Sequence, residues 1–366
     1  MAAALRALGA SVAESGDDLL VAGLTPGAFP AAPAVELGNA GTVARFLPPV
    51  AALLAGDVTF DGDARIRERP IAPLVAALRS LGARIDGDAF PLVVRGSGAL
   101  RGGTVTLDAS GSSQLVSGLL LAGPLMTDGL TVRHHGPPVP SRPHLDMTVA
   151  MMRSSGVPVD VAPDLWVMSP ASYVPRDVTV EPDLSSAAPF LAAAAVTGGT
   201  VTIADWPAST TQPGAALPAL LARMGCTSVV SAAGLALTGP GTLTGIDADL
   251  RDAPEVAPVL AAVCCVATSP SRLRGIAHLR LQETDRLRAL ATELSALGAV
   301  VTETSDGLSI EPAPLRGGVF HTYDDHRLAM AGAVLGLVVP GVAVENVATV
   351  GKTVPDFVER WQAMLG

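Results

Sequence analysis

Seven positions in the second half of the chain hold Arg280, Gln282, Glu283, Asp285 and Arg286. A carboxylate in such a cluster can take up or deliver a proton. Guanidinium groups beside it recognise phosphate and carboxylate through paired donors. Leu287, Leu290, Leu294 and Leu297 follow at spacings of three and four, which is one apolar helix face. Gly298 stands in the C′ place of that helix, and Thr284 or Asp285 is its expected N-cap. The charged cluster therefore sits on the positive end of a helix dipole, a place suited to an anion. The plainer reading is a solvated first turn with capping carboxylates.

Recurrence favours the first reading. Polar residues also crowd the entries of other expected helices: Asn39, Gly41 and Thr42; Ser110, Gly111, Ser112, Ser113 and Gln114; Asp183, Ser185 and Ser186; Asp252 and Glu255; Asp324, Asp325, His326 and Arg327. A second set of entries carries Arg65, Arg67 and Arg69; Ser141 and Arg142; Thr210, Thr211 and Gln212; Lys352 and Thr353. Of the 24 basic residues, Lys352 is the single lysine. Most of these Ser and Asp residues would serve simply as caps, the three arginines as an exposed basic turn, and His326 and Lys352 as surface residues. If two domains face each other by these ends, however, many helix N-termini, each worth roughly half a positive charge, converge on one cleft. Such a cleft concentrates anions even on an acidic protein.

The elements that would position these residues repeat. A helix ending in glycine recurs at Gly9, Gly82, Gly156, Gly225, Gly298 and Gly366, with gaps of 73, 74, 69, 73 and 68 residues. After each of the first five come two short β-like stretches around a polar turn. The second unit predicts a strand over 34–37, a helix over 41–54, a strand over 57–60, a helix over 71–81 and a hairpin through 92–94. Its order is βαβαββ, an α/β class with parallel crossovers and a short antiparallel pair. First helices are expected near Ser112, Ser185, Glu255 and Asp325, and second helices near Pro143, Gly214, Thr284 and Val354. A period near seventy is long for a thin solenoid and points to two closed domains of three units each, residues 1–181 and 182–366. The first unit is expected to be incomplete, because residues 1–8 can only be the tail of a second helix.

Composition excludes several classes. The chain has 366 residues and a mean hydropathy of +0.44, yet no apolar run reaches the ~18–20 residues of a membrane span. No stretch reads as a signal peptide. Cys226, Cys264 and Cys265 form neither a disulfide framework nor a metal spacing, which suits a reducing cytoplasm. The net charge of −10 argues against nucleic acid as a partner.

Seven stretches, LGNAGTVARF (37–46), RIRERPI (65–71), SGSSQLVSGLL (110–120), LSSAAPFLAAAAVTGG (184–199), QETDRL (282–287), YDDHRLAM (323–330) and GKTVPDF (351–357), resemble the EPSP synthase family in order along the whole chain. The resemblance implies two domains of three βαβαββ units, with phosphoenolpyruvate and shikimate 3-phosphate as small-molecule substrates. It implies no metal or organic cofactor, no membrane or nucleic-acid partner, and a cytoplasmic monomer. The reaction it implies is enolpyruvyl transfer to the 5-hydroxyl of shikimate 3-phosphate, by addition and then loss of phosphate. By motif, Gly41, Arg65, Gln114, Arg286, Arg327 and Lys352 would meet phosphoenolpyruvate. Ser112, Ser113, Gln114, Ser141, Glu255, His278 and Gln282 would meet shikimate 3-phosphate. Glu283 would be the acid–base at the methylene, Glu255 the base at the hydroxyl, and Lys352 a further catalytic group.

The sequence departs from the family pattern in places. Glu255 stands where Asp is usual, Gln282 where Lys is common, His278 where Asn is common, His144 where Tyr is common and Phe46 where Pro is common. The family's opening Lys-Ser-x-x-x-Arg segment is not matched, which predicts a catalytically defective chain. Two alternatives stay open: a truncated, non-catalytic paralogue or fragment that binds anions, and a UDP-N-acetylglucosamine enolpyruvyl transferase, which typically uses a loop cysteine.

Overall fold

In the computed structural model, which describes residues 1–23 and 32–366, each repeat is closed by the same backbone device. Gly9, Gly82, Gly156, Gly225 and Gly298 have φ between +84° and +110°, a left-handed conformation that costs a residue without Cβ nothing. The next amide then reaches back over the turn: Ala10 to Leu5 O, Ala83 to Leu78 O, Val157 to Met152 O, Cys226 to Leu221 O and Ala299 to Leu294 O, at 2.9–3.1 Å. This Schellman closure satisfies carbonyls that the helix end would leave orphaned. The first three copies share a further contact. Arg6, Arg79 and Arg153 each donate Nε to the carbonyl six residues on, those of Val12, Ile85 and Val159.

The chain divides into two units, Met1–Asp177 and Val178–Gly366, each with its own apolar core. The sequence reading placed the division after 181. Gln212 donates to Glu181 Oε2 and to Pro182 O, which ties that stretch to the second unit.

The βαβαββ plan appears in full three times. In the first unit Ala34–Glu36 and Ala55–Asp61 pair in parallel across the helix Gly41–Ala51; Leu92–Ser97 and Arg84–Asp86 then extend the sheet antiparallel. The same strand order recurs around Gly103–Leu107 and around Asp247–Asp249. A three-stranded sheet holds Thr200–Ile203, Gly234–Thr238 and Thr227–Ser231. Two two-stranded sheets remain among the described residues: the hairpin Ser11–Ser15 with Asp18–Ala22, and the parallel pair Gly318–Phe320 with Val342–Val344. The fold class is α/β, built of repeated units.

In the second unit the helices Ala188–Thr197, Ala257–Cys265 and His326–Gly336 pack on one another and are buried almost throughout. Their alanine-rich sequences let three backbones approach closely, and the buried polar side chains His326 and Arg327 stand at the entry of one of them. In the first unit the helices Gly41–Ala51 and Gln114–Ala122 meet at Gly118, where a Cβ would stand 2.2 Å from Arg45 O.

Six helix starts fall two or three residues later than the sequence suggested, at Gln114, Ala188, Leu217, Ala257, Arg286 and Phe357. The turns Pro213–Ala216 and Pro254–Val256 are 3-10, and their α-helices begin at Leu217 and Ala257. The final helix is Phe357–Leu365, preceded by Pro355 and a 3-10 segment, Val347–Lys352. Proline restricts the residue before it to extended backbone, which delays the helix.

Candidate active site

Arg286 opens the helix Arg286–Ala296, whose N-cap is Asp285 with its side chain accepting from Arg288 N. The Arg286 guanidinium is 5% exposed. It donates Nε to Asp325 Oδ2 at 2.7 Å, and Nη2 to Asp325 Oδ1 at 3.1 Å and Glu283 Oε2 at 2.9 Å. Glu283 Oε1 accepts from Lys352 Nζ at 2.8 Å. The structure thus brings Glu283, Arg286 and Lys352 into one network, with Asp325 as a member the sequence had marked only as a helix entry. Asp325 is fully buried because it also caps the next helix, accepting from Arg327 N at 2.9 Å.

Arg327 is in a different position. It is 6% exposed, and the acceptor bonded to its side chain among the described residues is Ser185 O, at 2.6 Å. That bond joins the entries of two central helices at the same end. Burial would lower Arg286, but the carboxylates of Asp325 and Glu283 more than compensate and hold it above the usual arginine value. Arg327 ends below its usual value, first through burial and then through repulsion by Arg286. Glu255 belongs to the third entry; its charge adds a smaller upward push on both guanidinium groups, so it too faces this end. Helix N-termini and two buried guanidinium groups gathered in one place favour an anion.

Two histidines lie in the same field. Burial, and then the charge of Arg286, lower His278 to about 4. Burial, Arg327 and Arg286 lower His326 to about 3. Both imidazoles are neutral near pH 7, and His278 Nε2 has no hydrogen-bond partner among the described residues. Gln282 links the 3-10 turn Ala277–Leu281, which carries His278, to Glu283.

The first unit holds the other expected residues. Gly41 opens its helix beside Arg69, Arg45 and Gln114; a Cβ there would lie 2.6 Å from Arg69 Nη2 and 3.0 Å from Gln114 Oε1. Arg69 donates to Asn39 O and Oδ1, and Arg45 to Gly41 O and Pro70 O. Arg45 and Arg69 are buried; the sequence reading groups Arg69 with Arg65 and Arg67 as an exposed turn and gives Arg45 no role, although a guanidinium on a helix that otherwise reads as apolar was the available signal. Arg65, on the short helix Ala64–Glu68, pairs with Glu68 at 2.8 Å. Ser112 Oγ accepts from Gln114 N, and Ser113 is buried at the N-cap of Gln114–Ala122. Ser141, with φ +53°, is the N-cap of Arg142–Ser154, and the Arg142 guanidinium lies 5.2 Å over the buried ring of Trp166.

The three thiols lie apart from this chemistry. Burial pushes Cys264 up to about 12 and Cys226 up to about 11, and pushes Cys265 up as well. A groove of about 560 Å³, lined by residues 265–268, 312–315 and 338–340, lies at the opposite ends of two of the central helices from Glu255 and Asp325. Among the described residues no cluster of His, Cys, Asp and Glu could hold a metal ion, and no helix is long and apolar enough to cross a membrane.

Known proteins resemble this chain in sequence and in fold. The sequence model of the family EPSP synthase (3-phosphoshikimate 1-carboxyvinyltransferase) matches residues 1–361. Two solved EPSP synthase structures from Acinetobacter baumannii are similar at 27% and 26% identity. Each match covers 99% of this chain and 86% of the other, with a TM-score of 0.77. The enolpyruvyl transferase NikO from Streptomyces tendae shares the fold at 21% identity and a TM-score of 0.73, over 99% of this chain and 85% of its own.

Proposed function

This chain belongs to the EPSP synthase family, and from that premise we propose which of its residues perform the transfer of enolpyruvyl from phosphoenolpyruvate to the 5-hydroxyl of shikimate 3-phosphate. The activity is that of a 3-phosphoshikimate 1-carboxyvinyltransferase, in the shikimate pathway to the aromatic amino acids. In the second unit, Arg327, Arg286 and Lys352 hold the phosphate and carboxylate of phosphoenolpyruvate. The incoming anion competes with Glu283 for the donors of Arg286 and Lys352, which turns that carboxyl towards the methylene carbon. Glu283 delivers a proton there, and the substrate hydroxyl oxygen bonds to the adjacent carbon as its own proton passes to Glu255. In the second half the carbon–oxygen bond to phosphate breaks, a methyl proton returns to Glu283, and the vinyl double bond re-forms. Lys352 neutralises the departing phosphate and can give it a proton, which a guanidinium cannot. In the first unit, Ser112, Ser113, Gln114 and Ser141 take the phosphate of shikimate 3-phosphate at helix N-termini, while Gly41 and Arg65 serve phosphoenolpyruvate. His278 and Gln282 contact shikimate 3-phosphate. We place the protein in the cytoplasm as a monomer; its three cysteines are all free and buried, as a reducing compartment favours.

The observation that carries the assignment is Arg327, a buried cation with a backbone carbonyl as its bonded acceptor and a like charge beside it. Arg327→Gln is expected to weaken phosphoenolpyruvate binding by about 10- to 100-fold, the worth of one or two charge-assisted hydrogen bonds. Calorimetric titration in the presence of shikimate 3-phosphate measures it. Unchanged affinity would remove Arg327 from the site and the anion assignment with it.

A further inference from the structure

Immediately before Asp325 the backbone does something unusual. Tyr323 and Asp324 are consecutive non-glycine residues with φ of +52° and +54°. Such a pair persists only where its surroundings over-determine it, and here two elements do so.

The first is the helix Arg286–Ala296. Seven residues after Arg286 it carries Glu293, a carboxylate only 2% exposed. Glu293 Oε1 accepts from Tyr323 Oη at 2.7 Å, and Oε2 from His321 N at 2.9 Å. Arg286 and Glu293 lie about two turns apart on one face, so one helix grips the 321–325 turn at both ends. The second element is the segment that carries Lys352. Asn346 Nδ2 donates to Asp324 Oδ1 at 2.6 Å, and Thr349 Oγ1 donates to Asp324 O at 2.9 Å. Thr349 lies within the 3-10 stretch Val347–Lys352, so its place follows the place of Asp324.

These bonds close a ring. It runs from Glu283 through Arg286 to Asp325, along the turn to Asp324, through Thr349 to Lys352, and back to Glu283. We propose that Glu293 and Tyr323 are positioning residues that, through Asp324, set where the Lys352 ammonium stands relative to Arg286. Neither belongs to the anion-binding set; each acts through the turn. The proposal rests on the assignment of Lys352 to phosphoenolpyruvate.

A double-mutant cycle on phosphoenolpyruvate affinity tests it. Tyr323 is 46% exposed, so Tyr323→Phe removes one hydroxyl without opening a cavity. It is expected to weaken binding about five- to tenfold, within the usual coupling of groups in one network, and to lower the melting temperature somewhat because the buried Glu293 carboxylate loses a donor. In a Lys352→Ala background the same substitution should change affinity less than about twofold. Thr349→Val, which cuts the ring on the lysine side, should reproduce both results and serves if the Tyr323 variant folds poorly. Equal losses in the two backgrounds, or no loss in either, would overturn the positioning role. If Lys352→Ala alone leaves affinity intact, the assignment of Lys352 falls, and the positioning role falls with it.

Discussion

Arg286 and Arg327 are both buried, yet one is surrounded by carboxylates and the other is bonded to a carbonyl oxygen. That contrast separates their roles. In the proposed site Arg286 has its carboxylate partners to give up to an incoming anion, and Arg327 has none bonded to it among the described residues. Burial, helped by these charges, keeps His278 and His326 neutral, and this has a consequence for stability. Their folded values of about 4 and about 3 lie below the 6.5 of an unfolded histidine. Between about pH 6.5 and pH 4 the unfolded chain therefore binds more protons than the folded one, and stability falls as pH falls. Each histidine steepens the slope by up to about 1.4 kcal/mol per pH unit. Urea midpoints across that window should drop with acidification, and His326→Gln should flatten the trend; an unchanged slope would contradict it. At this scale the sequence was only partly legible. Glu283, Arg286, Arg327 and Lys352 stood out by type and place. Asp325 and Glu293 did not, because their importance lies in partners about thirty or forty residues away, which no local pattern announces.

Among elements, the repeat was the clearest thing in the sequence, since a glycine at each helix end is a steric requirement that leaves a periodic mark. Helix starts were harder to read. Prolines at 213 and 254 open 3-10 entries and Pro355 lies in a turn after one, so these α-helices begin two or three residues late. Invisible in the sequence was the crossing of Gly41–Ala51 with Gln114–Ala122, because a glycine inside an apolar helix does not say what lies against it. In the structure the missing Cβ of Gly118 makes room for the Arg45 carbonyl. Gly118→Ala must push the two helices apart, and the neighbour is backbone, which has little freedom to yield. A loss of about 1–3 kcal/mol in urea unfolding is expected, together with weaker shikimate 3-phosphate binding, since Gly41 and Gln114 lie at the entries of the same two helices. A variant as stable as the parent would show that the crossing relaxes freely.

For the molecule as a whole, a net charge of −10 is compatible with the proposed anion site because Arg45, Arg69, Arg286 and Arg327 are buried, where water screens their charge least. The repeated architecture was legible, since a helix-ending glycine recurs about every seventy residues. Two separate cores raise the question of whether the units unfold together. With so few aromatic side chains, the protein carries its own optical answer. The first unit has one tryptophan, Trp166, and the second has Trp206 and Trp361. In a Trp206→Phe, Trp361→Phe protein all indole fluorescence comes from the first unit, from a ring that is fully buried and whose Nε1 has no hydrogen-bond partner among the described residues. Its emission should be blue, and its loss in denaturant should give a midpoint distinct from that of circular dichroism if the units unfold separately; coincident curves would make them one cooperative body. Because the Arg142 guanidinium covers that ring and Arg142 follows Ser141, the emission should also shift when a phosphate settles at Ser141. The stacking that fixes one helix entry thus doubles as a reporter, needing no added dye, of which unit has met its ligand.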